Sequence, residues 1–124
     1  MMSVFRLLVV FLLVPVSALA QNATGTSRLE WDQPNASLSE AQGFTYAVYA
    51  DGSTTPTPLT GVTCVAGTPT PVCSAPFPAF TPGSHSLSLT ATNVAGESTQ
   101  SAPISFTFVV VPSAPTGLRI VSTP

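Results

Sequence analysis

Proline and glycine set the first limit on this chain. It carries 13 Pro and 8 Gly, and past residue 20 one or the other interrupts nearly every ten residues. Proline breaks a helix by clash and by its missing N–H, and glycine weakens it through backbone entropy. No window past residue 20 therefore reads as an amphipathic helix. β-Branched and aromatic residues fill the gaps between these breakers. Short strands divided by regular turn signals predict an all-β fold, a two-sheet antiparallel β-sandwich. At 124 residues the chain is sized for one domain around one hydrophobic core.

The first twenty residues stand apart. Arg6 is the lone side-chain positive charge ahead of an unbroken apolar run, Leu7 to Val14. Pro15 ends that run, and Ala18-Leu19-Ala20 places small residues two apart before Gln21. This is the layout of a secretory signal peptide cut after Ala20. A membrane-spanning helix would need about 20 apolar residues, and Pro15 and Ser17 interrupt this one early. No second apolar stretch of that length follows, so no membrane span is expected after cleavage. The expected location is extracellular or periplasmic.

Charge narrows the partners. Only 6% of residues are charged, and Lys is absent. Arg28 and Arg119 are the basic side chains past residue 20. Nucleic-acid binding through phosphates needs a basic face, which this composition does not offer. A hydrophobic content of 44% argues equally against an acidic disordered tail.

Alternation places the strands. In Arg28 to Asp32, Leu29 and Trp31 point inward and Glu30 outward. In Phe44 to Ala50, Phe44, Tyr46 and Val48 share a face, and Asp51-Gly52 ends the strand as a turn. Leu59 to Val65 and Val72 to Ser74 flank a cysteine-closed loop. In Ser84 to Asn93, His85, Leu87, Leu89, Ala91 and Asn93 share one face. Ala95-Gly96 turns the chain, and Ile104, Phe106, Phe108 and Val110 share a face in the last strand. The expected core is thus Trp31, Tyr46, Val48, His85, Leu87, Leu89 and Phe106. Trp31 is expected to be buried against Tyr46, Val48, Leu87 and Leu89. Ser53 to Pro58 and Thr68 to Pro71 are Thr/Pro stretches that read as exposed loops.

Two cysteines allow one intramolecular pairing, Cys64 with Cys73. Export permits the bond, and Gly67, Pro69 and Pro71 suit a turn between two extended arms. A zinc site is disfavoured, since two Cys and one distant His make a poor ligand set. No metal and no cofactor are expected.

The inventory for catalysis is thin. His85 is the single His, set within an alternating apolar strand. Glu30 and Asp32 share a strand face that reads as solvated. No loop gathers the carboxylates a calcium site wants, and no Gly-x-Ser-x-Gly elbow appears. The chain is expected not to be an enzyme. Binding options are the end loops and the sheet edges. Tyr49 points opposite to Tyr46 and Val48 and is a candidate contact residue. Asn22-Ala23-Thr24 and Asn35-Ala36-Ser37 match the N-glycosylation acceptor pattern, which arises easily by chance in a Ser/Thr-rich chain.

Together these residues resemble a fibronectin type III domain, over about Ser27 to Val111. Trp31 stands in the second strand, followed by Gln33-Pro34; Tyr46-Ala47-Val48 matches the family's Tyr-x-Val. The run from Pro82-Gly83 through Leu87, Leu89 and Ala91-Thr92-Asn93 to Gly96-Glu97-Ser98 carries the strongest match. His85 replaces the family's corner Tyr, one residue nearer Pro-Gly, and an imidazole can still donate to a backbone carbonyl. Too few residues precede Trp31 for a full first strand. The cysteine pair lies in a hairpin, not across two sheets. No Arg-Gly-Asp tripeptide is present, so integrin-type adhesion does not carry over. Pro112-Ser113-Ala114-Pro115-Thr116-Gly117-Leu118 looks like the entry to a following repeat. Three readings of residues 112–124 stay open: the start of such a repeat, a replacement for the missing first strand, or a disordered Pro-rich tail.

The resemblance implies a secreted, non-catalytic binding or spacer module at the cell surface. It would act through loops or an exposed sheet edge, on a protein or surface-glycan partner. The alternatives are a structural fragment of a cell-surface or envelope tandem-domain protein, and a carbohydrate-binding accessory module.

Overall fold

The computed structural model describes residues 21–123. The expected signal peptide, residues 1–20, and Pro124 lie outside the described residues. The fold is all-β, with nine strands and one short helix among the described residues, arranged in two sheets. The strands are β1 (Gln21–Ala23), β2 (Arg28–Asp32), β3 (Thr45–Ala50), β4 (Thr57–Pro58), β5 (Thr63–Val65), β6 (Val72–Pro76), β7 (Gly83–Asn93), β8 (Gly96–Glu97) and β9 (Ile104–Phe108). One sheet runs β1-β9-β7-β3-β4, with β8 also on β7; the other runs β2-β6-β5. Every pairing is antiparallel except β1 on β9, which is parallel. A first strand therefore exists despite the few residues available. Only Ala23 of it is buried, and the Val109 N–H extends the pairing by donating to Ala23 O at 2.9 Å.

A helix also forms where none is expected, α1 (Leu38–Gly43). Its signal is local rather than periodic. The Ser37 hydroxyl accepts from the Glu40 N–H, and the Glu40 carboxylate accepts from the Ser37 N–H, a reciprocal cap. Those bonds hold the Glu40 carboxyl below its usual range. At six residues the helix is too short for an apolar stripe to show. Its one buried residue, Ala41, seats it on the core, and the Tyr46 hydroxyl donates to Ala41 O at 2.8 Å.

Inward side chains of both sheets meet in two clusters. One gathers Ala23, Val48, Leu87, Phe106 and Phe108, with Leu29, Phe77 and Phe80 against it. The other gathers Ala41, Tyr46, Cys64 and Cys73, with Trp31 and Phe44 against it. Leu89 is partly buried and touches both.

The disulfide is present. Cys64 and Cys73 are directly opposite in the β5–β6 ladder, with Cα atoms 4.0 Å apart. The β2–β6 register sends the Cys73 backbone groups toward β2, so Cys64 and Cys73 form a non-hydrogen-bonded pair, the closer of the two antiparallel pair types.

Three expected core or surface positions fall elsewhere. Trp31 is half-buried, not buried, and its partner is Tyr46, with ring centroids 5.0 Å apart. It belongs to the cysteine cluster, whereas Val48 and Leu87 belong to the other. The reason is that β2 is an edge strand. His85 lies at the rim, not in the core: its ring stacks on Phe106 while both nitrogens reach polar partners. Tyr49 is buried, not exposed, because the Glu97 and Gln100 side chains cover the far face of β3 and β7. Its hydroxyl donates to the Glu97 carboxylate at 2.7 and 2.9 Å, which raises the phenol's pKa. At the ends of the last strand's apolar face, Ile104 and Val110 are half-exposed; only Phe106 and Phe108 are covered.

Candidate functional site

The polar groups of β2 show which way its backbone faces. The Gln33 N–H donates to Pro71 O, and the Phe77 N–H donates to Ser27 O, both at 2.9 Å. Antiparallel ladders alternate in steps of two. Leu29 and Trp31 therefore exchange bonds with β6, while Arg28, Glu30 and Asp32 aim N–H and C=O away from it. No strand among the described residues pairs with β2 on that side. The first strand, which could have covered this edge, pairs with β9 in the other sheet instead.

The opposing wall is built by residues 98–102. Ser98 N–H donates to Ala91 O and Ser101 N–H to Leu89 O, at 2.8 and 2.9 Å. In return the Ser98 and Ser101 hydroxyls accept from the Ala91 and Leu89 N–H groups, at 3.0 and 2.9 Å. Serine side chains thus complete the edge of β7 between β8 and β9 without a regular strand. The spacing Ser98-x-x-Ser101 is visible in the sequence, but only the fold shows that both hydroxyls face one strand.

Between these walls lies a groove of about 540 Å³. Leu29, Trp31, Val48, Leu87, Leu89 and Ile104 supply its apolar surface. Glu30 and Asp32 stand exposed along its open edge. A shallower depression of about 310 Å³ continues it past Gln33, Pro34 and Asn35 toward Phe44. The Trp31 Nε1 is buried without a hydrogen-bond partner, which leaves a donor's desolvation uncompensated. No protein-family model matches this chain, and neither does any curated protein or solved structure.

The groove brings together four of the expected core residues, Trp31, Val48, Leu87 and Leu89. It excludes Tyr49 and His85. Asn35 lines it in a left-handed conformation, φ 56°, while Asn22 sits in β1. No group of three His, Cys, Asp or Glu residues that could hold a metal occurs among the described residues.

The other polar constellation pins the turn after β3. His85 Nδ1 meets Asp51 Oδ2 at 2.7 Å, and His85 Nε2 meets Thr81 O at 2.6 Å. Asp51 Oδ1 accepts from the Ser86 N–H at 2.9 Å. The Asp51 bond, then the Thr81 carbonyl, raises the imidazole pKa; the same His85 bond, then Ser86, lowers the carboxyl's. A raised His contributes stability that is complete below about pH 6.5 and fades as pH climbs through its higher folded pKa. A lowered Asp contributes stability that is complete above about pH 4 and fades as pH drops through its lower folded pKa. The pair therefore stabilises most between roughly pH 4 and 6.5. Asp51→Asn keeps an acceptor for Ser86 and tolerates the residue's φ of 53°. The Tm deficit of this variant is expected to be widest near about pH 5.5 and to shrink as His85 deprotonates. Thermal melts across that range test it; a deficit that does not change with pH contradicts it.

Proposed function

We propose that the chain is a secreted, non-catalytic binding module with a fibronectin type III-like sandwich, acting through an exposed sheet edge. One observation carries this reading: the unpaired backbone edge of β2 runs along an apolar groove. Such an edge binds an extended segment by main-chain hydrogen bonds, with alternate side chains entering the pockets beside it. Three outward-facing residues, Arg28, Glu30 and Asp32, supply the bonds, and Leu29, Trp31, Leu89 and Ile104 receive the side chains. The disulfide suits an exported protein, and no helix among the described residues is long and apolar enough to cross a membrane. The absence of Lys removes the commonest guard against edge pairing, in keeping with an edge that is used.

A second reading, a structural member of a tandem-domain surface protein, has its own support. Residues 112–123 are exposed and belong to no strand, as a connector would be.

Selection of extended peptides from a displayed library tests the binding module. Glu30→Pro removes an outward N–H while leaving the bonds to β6 intact. Ile104→Glu places a charge on the groove surface at a residue already half-exposed. Enriched peptides are expected to lose at least about tenfold in affinity for either variant, a loss of about 1.4 kcal/mol or more. Binders indifferent to both variants, or no binders at all, overturn it.

A further inference from the structure

The same structure holds a segment suited to the open edge. Beyond β9, Val111, Leu118 and Ile120 are more than nine-tenths exposed, and Val121 is 73% exposed. A run of large apolar side chains left in water is unusual for a finished surface, and it marks an interaction site. Residues 116–123 contain no Pro, so every N–H there is free to bond. Leu118, Ile120 and Ser122 alternate with Arg119, Val121 and Thr123, the period of a strand with one apolar face.

We propose that Leu118–Val121 of one molecule adds to the β2 edge of a second copy, as a fourth strand on its three-stranded sheet. This rests on the edge-binding reading above and names its partner. Charge favours the match. Arg119 is one of two arginines among the described residues, and the open edge presents two carboxylates, Glu30 and Asp32, against one cation, Arg28. Geometry agrees with it. In β2 the residues whose backbone faces outward are also those whose side chains are exposed. A paired incoming residue must therefore carry its side chain on the exposed face, as Arg119 does when Leu118 and Ile120 turn inward. An antiparallel register with Arg119 opposite Glu30 sets Leu118 beside Trp31 and Ile120 beside Leu29. Val121 then lies along the stem of Arg28. Both inward neighbours line the groove. The donor segment makes no sheet pairing in its own molecule, so its transfer breaks no existing ladder.

Sedimentation of the full exported chain over a concentration series tests the proposal. Assembly that grows with concentration is expected. Arg119→Glu is expected to weaken it at least about tenfold by setting like charges opposite, and Glu30→Arg with Arg119→Glu is expected to recover most of that loss. Glu30→Pro, shown folded by far-ultraviolet circular dichroism, is expected to abolish it; Ile104→Glu gives the same readout if Glu30→Pro does not fold. A monomer at every concentration overturns the second-copy proposal, as does assembly that ignores Arg119→Glu. If selected peptides still bind in a manner sensitive to Glu30→Pro while the chain stays monomeric, the edge reading stands and only the second copy falls. If neither occurs, both fall.

Discussion

Replacing Cys64 and Cys73 together by Ala is expected to lower the Tm by roughly 10 to 20 °C. Two effects add in the same direction. The bond closes a loop between residues nine apart in sequence, and the chain-entropy model assigns a loop of that size about 2 to 3 kcal/mol. In a domain of this size each kcal/mol moves the Tm by about 4 to 8 °C. The sulfurs are also packing atoms. Cys73 is fully buried and Cys64 nearly so, in the cluster that holds Ala41 and Tyr46. The Tyr46 hydroxyl lies 3.7 Å from the Cys73 sulfur and 3.9 Å from the Cys64 sulfur. Loss of the bond therefore loosens the seat of α1 as well as the β5–β6 hairpin. Calorimetry of the double variant beside the oxidised parent checks this. A shift below about 3 °C would mean that the hairpin is held by its ladder and not by the bond.

The second large effect is expected at Phe106. Its ring is 3% exposed. It meets Phe77 edge-on, with centroids 5.0 Å apart and planes at 86°, and Phe80 at the same centroid distance. Such edge-to-face pairs add to the burial of the ring itself. Phe106→Ala removes the middle of that cluster and should cost about 3 to 5 kcal/mol, a large share of a small domain's stability. Trp31→Ala should cost less, although Trp is the larger residue. Part of its ring already faces the groove, and its Nε1 donor gains nothing from burial. Urea midpoints of the two variants rank them, and a Trp31 variant as destabilised as Phe106→Ala would contradict this account.

Much of the secondary structure was legible in the residues, for a simple reason. Period-two alternation between Pro and Gly breakers reports strands directly, and β3, β7 and β9 are all long enough to show it. The cysteine pairing was legible because two cysteines leave one choice. The helix was not, since a single capped turn carries a local signature, Ser37 with Glu40, and no periodicity. Tyr49 was misplaced by the same alternation that placed Tyr46. Alternation says that two side chains point to opposite faces, but not that the second face is also covered. Glu97 and Gln100 cover it, with Thr90 and Ser88 donating to them. For His85 the face was right and the depth was wrong, because depth depends on how near the strand's end the residue lies.

Residue types and their spacing determined the all-β class, the strand positions, the turn at Asp51-Gly52 and the cysteine pair, all of which follow from contacts close in sequence or from elimination. Tertiary structure alone decided where β1 goes. Gln21–Ala23 pairs in parallel with β9, whose residues lie more than eighty positions away, and no local signal separates that choice from pairing with β2. That one choice leaves the backbone of Arg28, Glu30 and Asp32 open and turns Trp31 from a core residue into the wall of a groove. The groove is thus a product of long-range pairing, which is set by what each edge buries and bonds across the whole fold and not by the residues along either strand.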